Sequence, residues 1–179
     1  MLSAPPPYQL RQLQLADLPA MYTIDRLAFP RPAKKGLYEY ELTQNSMAHY
    51  QALLLGDVLL GYAGYWLMVD EAHISTIATH PDWRGKGLGE LLLLNMLLMA
   101  GEHAATLATL EVRRSNTIAQ ALYRKYAFTV EGERPRYYRD TGDDALIMTV
   151  ILKDNYYAHT LAALRQALWA RLTGAPSAA

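Results

Sequence analysis

Two hydrophobic periods alternate along this chain, and each change of period marks an element. Residues 8–13 alternate polar and apolar and predict a first strand. Asp17 can cap a helix through Met21, Ile24 and Leu27, with Pro19 tolerated in its first turn and Pro30 and Pro32 stopping it. Residues 36–45 read as a second, short helix. Residues 49–55 and 58–67 predict two strands joined at Gly56-Asp57, a hairpin signal. Asp70-Glu71 turns the chain into a strand over 72–79, and residues 88–103 predict a long helix, apolar at nearly every position. Its run 91–100, broken by Asn95, falls far short of the roughly 20 residues that span a bilayer, so it reads as a buried helix. Residues 106–112 alternate as a strand, and Ser115 or Asn116 starts a helix through Ala119, Leu122 and Tyr126. Residues 128–133 and 146–152 predict the last strands, with 134–144 between them. This order predicts an α/β sandwich with a mixed, partly antiparallel sheet flanked by helices.

The pattern also divides the chain. Pro5-Pro6-Pro7 makes residues 1–7 a flexible tail, residues 8–152 form one domain, and residues 153–179 form a C-terminal helical extension. Within the extension Leu161, Leu164, Leu168 and Leu172 recur at spacings of three and four, with Arg165, Gln166 and Arg171 between them. That stripe has two readings: packing on the domain's own surface, or a homodimer or partner contact.

Composition narrows the chemistry. The 179 residues hold 17 basic and 17 acidic side chains, so no global charge draws the chain to nucleic acid or to a membrane. There is no cysteine, which excludes disulfides, thiolate nucleophiles and cysteine-ligated zinc. Residues 1–7 carry no signal-peptide pattern, and the expected location is cytoplasmic. The five histidines show no metal spacing such as H-E-x-x-H, and no G-x-S-x-G elbow exists, so neither a metal nor a covalent acyl-enzyme is expected.

The segment Arg84-Gly85-Lys86-Gly87-Leu88-Gly89 lies between a predicted strand and a predicted helix. Glycines allow close backbone approach, and the helix N-terminus adds about half a positive charge, so a phosphorylated ligand is implied. Neither the P-loop spacing nor the dinucleotide G-x-G-x-x-G spacing is present. The alternative is a tight strand-to-helix turn with no ligand. Arg84, Gly87 and Gly89 form an R-x-x-G-x-G pattern that resembles the pyrophosphate motif of the GNAT superfamily of acetyl-CoA-dependent acyltransferases. Residues 110–128, which include Glu111, Val112, Arg113, Ser115, Asn116, Ala119, Leu122, Tyr123 and Phe128, resemble a signature of bacterial GNAT enzymes that acetylate protein N-termini. The ribosomal-protein N-terminal alanine acetyltransferases are the branch it resembles. Arg136-Tyr137-Tyr138, followed by residues 144–148, resembles that family's final hairpin.

The resemblance implies a GNAT-like fold. It implies direct transfer of an acetyl group from acetyl-CoA to the α-amine of a protein or peptide, with the N-terminal alanine of a ribosomal protein as acceptor. It places the backbone of Ile77, Ala78 and Thr79 against the pantetheine arm, and Arg84, Gly85, Lys86, Gly87, Leu88 and Gly89 around the pyrophosphate. Asn116 caps its helix, touches the cofactor arm, or does both. Glu111 is the general base, with Glu71 the alternative, and a surface ion pair of Glu111 with Arg113 or Lys86 is the structural reading. Tyr123 is the proton donor or a core tyrosine; Tyr137 and Tyr138 line the acceptor groove, one of them facing the core. An α-amine has a pKa of about 7.7–8.0 against about 10.4 for lysine, so a carboxylate acting through one water suffices for the former. Two departures stand out. Ala127 replaces the usual glycine before Phe128, and Arg31 follows Phe29-Pro30 where tryptophan is usual, within the acceptor-side segment 31–40. The competing functions are a GNAT enzyme for a small amine or lysine, and a non-catalytic acyl-CoA-binding module.

Overall fold

A computed structural model describes residues 3–174. In chain order the elements are β1 (Tyr8–Gln12), α1 (Leu18–Ala28), α2 (Leu37–Thr43), β2 (Ala48–Leu55), β3 (Val58–Met68), β4 (Glu71–Thr79), α3 (Leu88–Glu102), β5 (Leu107–Arg113), α4 (Thr117–Lys125), β6 (Thr129–Tyr138), β7 (Asp143–Ile151) and α5 (Asn155–Thr173). The strands form one sheet in the order β1-β2-β3-β4-β5-β7-β6. Every pairing is antiparallel except β4 with β5. The mixed, partly antiparallel sheet and the added C-terminal helix are as the periodicity predicts.

Each sheet face buries its own apolar layer. Leu18, Met21 and Ile24 of α1 and Tyr38 of α2 pack with Tyr50, Tyr62 and Ala78 on one face. Leu91, Leu92, Met96 and Leu97 of α3 lead the other layer, joined by Tyr126 and Phe128 after α4 and by Tyr157, Leu161 and Leu168 of α5. The sheet, α4 and α5 together enclose α3, which is why its sequence has no polar face. Asn95, buried within it, donates to the side chain of Gln51, whose amide in turn donates to the Leu92 carbonyl at 2.7 Å.

Periodicity ends β6 at residue 133, but the strand continues to Tyr138. The physical reason is position: β6 is the sheet edge, almost none of its residues are buried, and no alternation marks it. Pro135 is tolerated there because an edge strand needs hydrogen bonds on one side only. The N-terminal tail also differs from expectation. Residues 1–2 lie outside the described residues, but Pro5 is buried, Ala4 packs on the core, and the Tyr8 amide donates to the Pro5 carbonyl at 3.0 Å. The α5 stripe is taken up by the chain's own core: Leu161 and Leu168 are buried, and Leu164 and Leu172 pack beside them. Residues 175–179 of the extension lie outside the described residues. Among the described residues no helix is long and apolar enough to cross a membrane.

Candidate active site

The site begins where two parallel strands part. β4 and β5 pair only from Glu71↔Leu107 to Ile74↔Leu110, although β4 runs on to Thr79 and β5 to Arg113. The split coincides with a register shift against β3, where Tyr65 pairs with Ile74 and Gly64 with Thr76, leaving Ser75 as an extra residue. The bulge changes which side chains face each layer: Ile74 and Ile77 join the α3 layer, and Ala78 joins the α1 layer. Gly64 permits this crossing, since a Cβ there would lie 2.5 Å from the Tyr50 ring. Ile77, Ala78 and Thr79 stay paired with β3, and among the described residues their edge toward β5 has no strand partner.

β4 leads through a short turn into the N-terminus of α3. Gly85 and Gly87 have φ of 75° and 82°, the left-handed region where only glycine is unstrained. Gly87 caps α3 without a side chain, and among the described residues no side chain bonds the first-turn amides, which leaves those donors available to an anion. Arg84, Gly85 and Lys86 are exposed, and the Lys86 ammonium lies 4.3 Å from the Trp83 ring centroid. The loop and the open strand edge are contiguous, and they fit a phosphate-bearing, strand-like ligand arm.

Glu111 projects from β5 just past the last β4–β5 pair. Its Oε2 lies 3.0 Å from His73 Nε2, and its Oε1 lies 3.2 Å from Arg134 Nη2. The parallel register explains the first contact: His73 pairs with Thr109, so His73 and Glu111 lie on the same face of adjacent strands. Arg113 and Lys86, the ion partners expected from sequence, go elsewhere. Arg113 reaches Asp140 at 2.7 Å and stacks on Tyr138, and Lys86 lies over Trp83 beyond the strand end. The hydrogen bond from His73, then Arg134, holds the Glu111 carboxyl below the usual carboxylate range against partial burial. Glu71 is exposed and pairs with Leu107, four residues from Glu111 along β5, a separation of roughly 13 Å.

Tyr123, on α4, packs against Phe128 with ring centroids 5.7 Å apart. Burial, with Tyr138 nearby, pushes its phenol up and keeps it protonated. The Tyr138 hydroxyl donates to the Glu111 carbonyl at 3.3 Å, and burial raises its pKa to about 12. Tyr137 turns outward and is 46% exposed, with its ring 5.2 Å from that of Tyr138. Tyr138 is therefore the inward member of the pair. Asn116 caps α4 by accepting the Ala119 amide at 3.1 Å. Ala127 adopts φ 61°, the left-handed conformation for which a glycine is suited.

The structure thus brings Tyr138 to Glu111 at the strand gap, sets Tyr123 within electrostatic reach of Tyr138, and sets Glu71 apart. Sequence reasoning missed His73, whose only sequence signal is its polar character on a strand facing that of Glu111. It also missed the buried Asp25 carboxylate of α1, which holds Ala33 of segment 31–40. Asp25 accepts from the Tyr38 and Tyr62 hydroxyls at 2.7 and 2.5 Å and from the Ala33 amide at 2.6 Å. Among the described residues no cluster of three or more histidine, aspartate or glutamate side chains is arranged to hold a metal ion.

Comparison with known proteins places this arrangement. The Acetyltransferase (GNAT) family model matches residues 18–128. A Bacillus subtilis protein provisionally named a ribosomal protein bS18-alanine N-acetyltransferase is 39% identical over 145 residues, 81% of this chain and 96% of the relative. The ribosomal protein bS18-alanine N-acetyltransferase of Escherichia coli strain K12 is 30% identical over 152 residues, 79% of this chain and 95% of that protein. The crystal structure of the ribosomal-protein-S18-alanine N-acetyltransferase from Escherichia coli superposes with a TM-score of 0.76 at 29% identity, covering 82% of this chain and 95% of that one.

Proposed function

The chain belongs to the GNAT acetyltransferase family, and from that premise we propose that it acetylates the N-terminal α-amine of a protein, with the N-terminal alanine of a ribosomal protein as acceptor. The observation that carries the reading is the gap between β4 and β5, which joins the glycine-rich N-terminus of α3 to the Glu111–Tyr123 side. The free edge of Ile77, Ala78 and Thr79 fits the pantetheine arm of acetyl-CoA as a further strand would, and the α3 amides with Arg84 and Lys86 fit its pyrophosphate. Bound there, acetyl-CoA supplies the thioester carbonyl that the amine attacks.

The chain's own residues then divide the proton work. Glu111, acting through one water, takes the proton from the acceptor ammonium, so that a neutral amine attacks. As the amine nitrogen bonds the carbonyl carbon and the C–S bond breaks, Tyr123 donates its phenolic proton to the departing thiolate, and the second proton shed by the newly bonded nitrogen returns through water to the Tyr123 phenolate. In water a phenol is the weaker acid, but burial of the kind that pushes Tyr123 up also disfavours a bare thiolate, which is the species the proton neutralises. His73 and Arg134 orient the Glu111 carboxylate and keep it ionised. So weak a base suits an α-amine of pKa about 7.7–8.0 far better than a lysine near about 10.4. With no cysteine in the chain and no nucleophile elbow, direct transfer in a ternary complex is the mechanism consistent with these residues.

The test is acetylation of a peptide library with mass-spectrometric assignment of the modified nitrogen. Modification of the α-amine of alanine-starting peptides is the expected result. Modification confined to lysine side chains or small amines overturns the acceptor assignment.

A further inference from the structure

The donor loop is tied to a part of the chain beyond the family match, which ends at residue 128. α5 packs directly behind the loop. A Cβ at Gly87 would lie 3.2 Å from Arg171 Nη2 and 3.5 Å from Leu168 Cδ1. The same Arg171 Nη2 donates to Glu90 Oε2 at 2.6 Å. Glu90, buried in the first turn of α3, also accepts from Lys125 Nζ at 2.6 Å and from the Tyr126 hydroxyl at 3.1 Å. The Tyr157 hydroxyl of α5 closes the set by donating to the Tyr126 carbonyl at 3.0 Å. Two cations therefore meet one carboxylate immediately below the anion-facing amides, leaving an excess of positive charge there. Gly87, left-handed and uncapped, has Arg171 and Leu168 as its wall.

We propose that Arg171 is a positioning residue of the donor site: through Gly87 and Glu90 it holds the loop from Arg84 to Gly89 in the conformation that receives the cofactor pyrophosphate, and α5 is thereby part of the acetyl-CoA site. The inference rests on the reading of that loop as the pyrophosphate cradle. Its signature is selectivity for one portion of the donor. Pyrophosphate affinity depends on Arg171, whereas the reaction at the thioester, near Glu111 and Tyr123, does not.

The experiment compares two donors, acetyl-CoA and S-acetylpantetheine, which lacks the pyrophosphate and nucleotide. Arg171→Met is expected to raise the KM for acetyl-CoA roughly tenfold while kcat stays within about twofold, and to leave the KM for S-acetylpantetheine unchanged. Gln166→Ala, on the exposed side of α5, changes neither. Equal losses on both donors, or no loss on either, overturn the proposal. If Arg171→Met lowers the melting temperature substantially, Arg171→Lys makes the same comparison, because it keeps a charge facing Glu90 without the planar fork against Gly87. Calorimetric titration with CoA separates the two levels. A wild-type chain that does not bind CoA sinks the donor reading and this proposal together; a wild-type chain that binds it no better than Arg171→Met sinks this proposal alone.

Discussion

Glu111 shows how a single residue acquires a role from its register. On the sequence it is one acidic position in an alternating strand; in the sheet it sits at the first point where β5 loses β4 as a partner. If Glu111 is the base, as proposed, replacing it with glutamine keeps the shape and removes the base, so kcat/KM for an alanine-starting peptide should fall by about a hundredfold, measured by steady-state kinetics. The pH profile follows from the direction of its shift. A carboxyl held below its ordinary range is already ionised throughout the neutral region, so Glu111 does not set the acid limb there. The rate on an α-amine acceptor should instead rise as the amine loses its proton, levelling off above about pH 8. A limb that moved with Glu111→Gln would contradict that. Ala127 offers a separate test at the same scale. Its φ of 61° is the strained left-handed conformation, so Ala127→Gly should stabilise the fold by about 1 kcal/mol, read by chemical denaturation.

Among the elements, the α1–α2 unit is held by one buried carboxylate. Asp25 ties α1 to the segment 31–36 through Ala33, to α2 through Tyr38, and to β3 through Tyr62. Asp25→Ala leaves two buried hydroxyls and an amide without their acceptor, which should cost about 3 kcal/mol in denaturant unfolding. If that segment lines the acceptor side, as the proposed function has it, the variant should also raise the KM for peptide more than the KM for acetyl-CoA. The elements themselves were largely legible. Strong periodicity located the strands up to β5, and the glycine pattern located the start of α3. What stayed hidden depends on neighbours in space. The Ser75 bulge exists only relative to β3, His73 meets Glu111 only through parallel pairing, and β6 as an edge strand carries no buried face to betray it. The splay is invisible to periodicity, because each strand alone looks continuous; only the family resemblance, which sets the backbone of Ile77, Ala78 and Thr79 against a cofactor arm, implies it.

At the scale of the whole molecule, the two sheet faces do different work. On the proposed reading, the face carrying α1 and α2 serves the acceptor, while the face carrying α3, α4 and α5 carries the glycine-rich loop that receives the donor. Glu90 is where the second face is drawn together, since its carboxylate joins the start of α3 to Lys125 and Tyr126 at the end of α4 and to Arg171 on α5. Burial alone would raise its pKa, but the hydrogen bonds from Lys125 and Arg171 hold it below the usual carboxylate range. A carboxylate depressed by folding contributes stability that is present above its unfolded pKa and is lost as pH falls through the lower folded value. Glu90→Gln removes that contribution and leaves both cations facing a neutral amide. The melting temperature of the wild type should therefore exceed that of Glu90→Gln at neutral pH, and the two should converge as pH falls below the ordinary glutamate value of about 4.3 and through the lower folded one. Scanning calorimetry of the two proteins across that range checks the sign. A difference that persisted unchanged at the acid end would mean that packing, and not the charge at Glu90, joins the three helices.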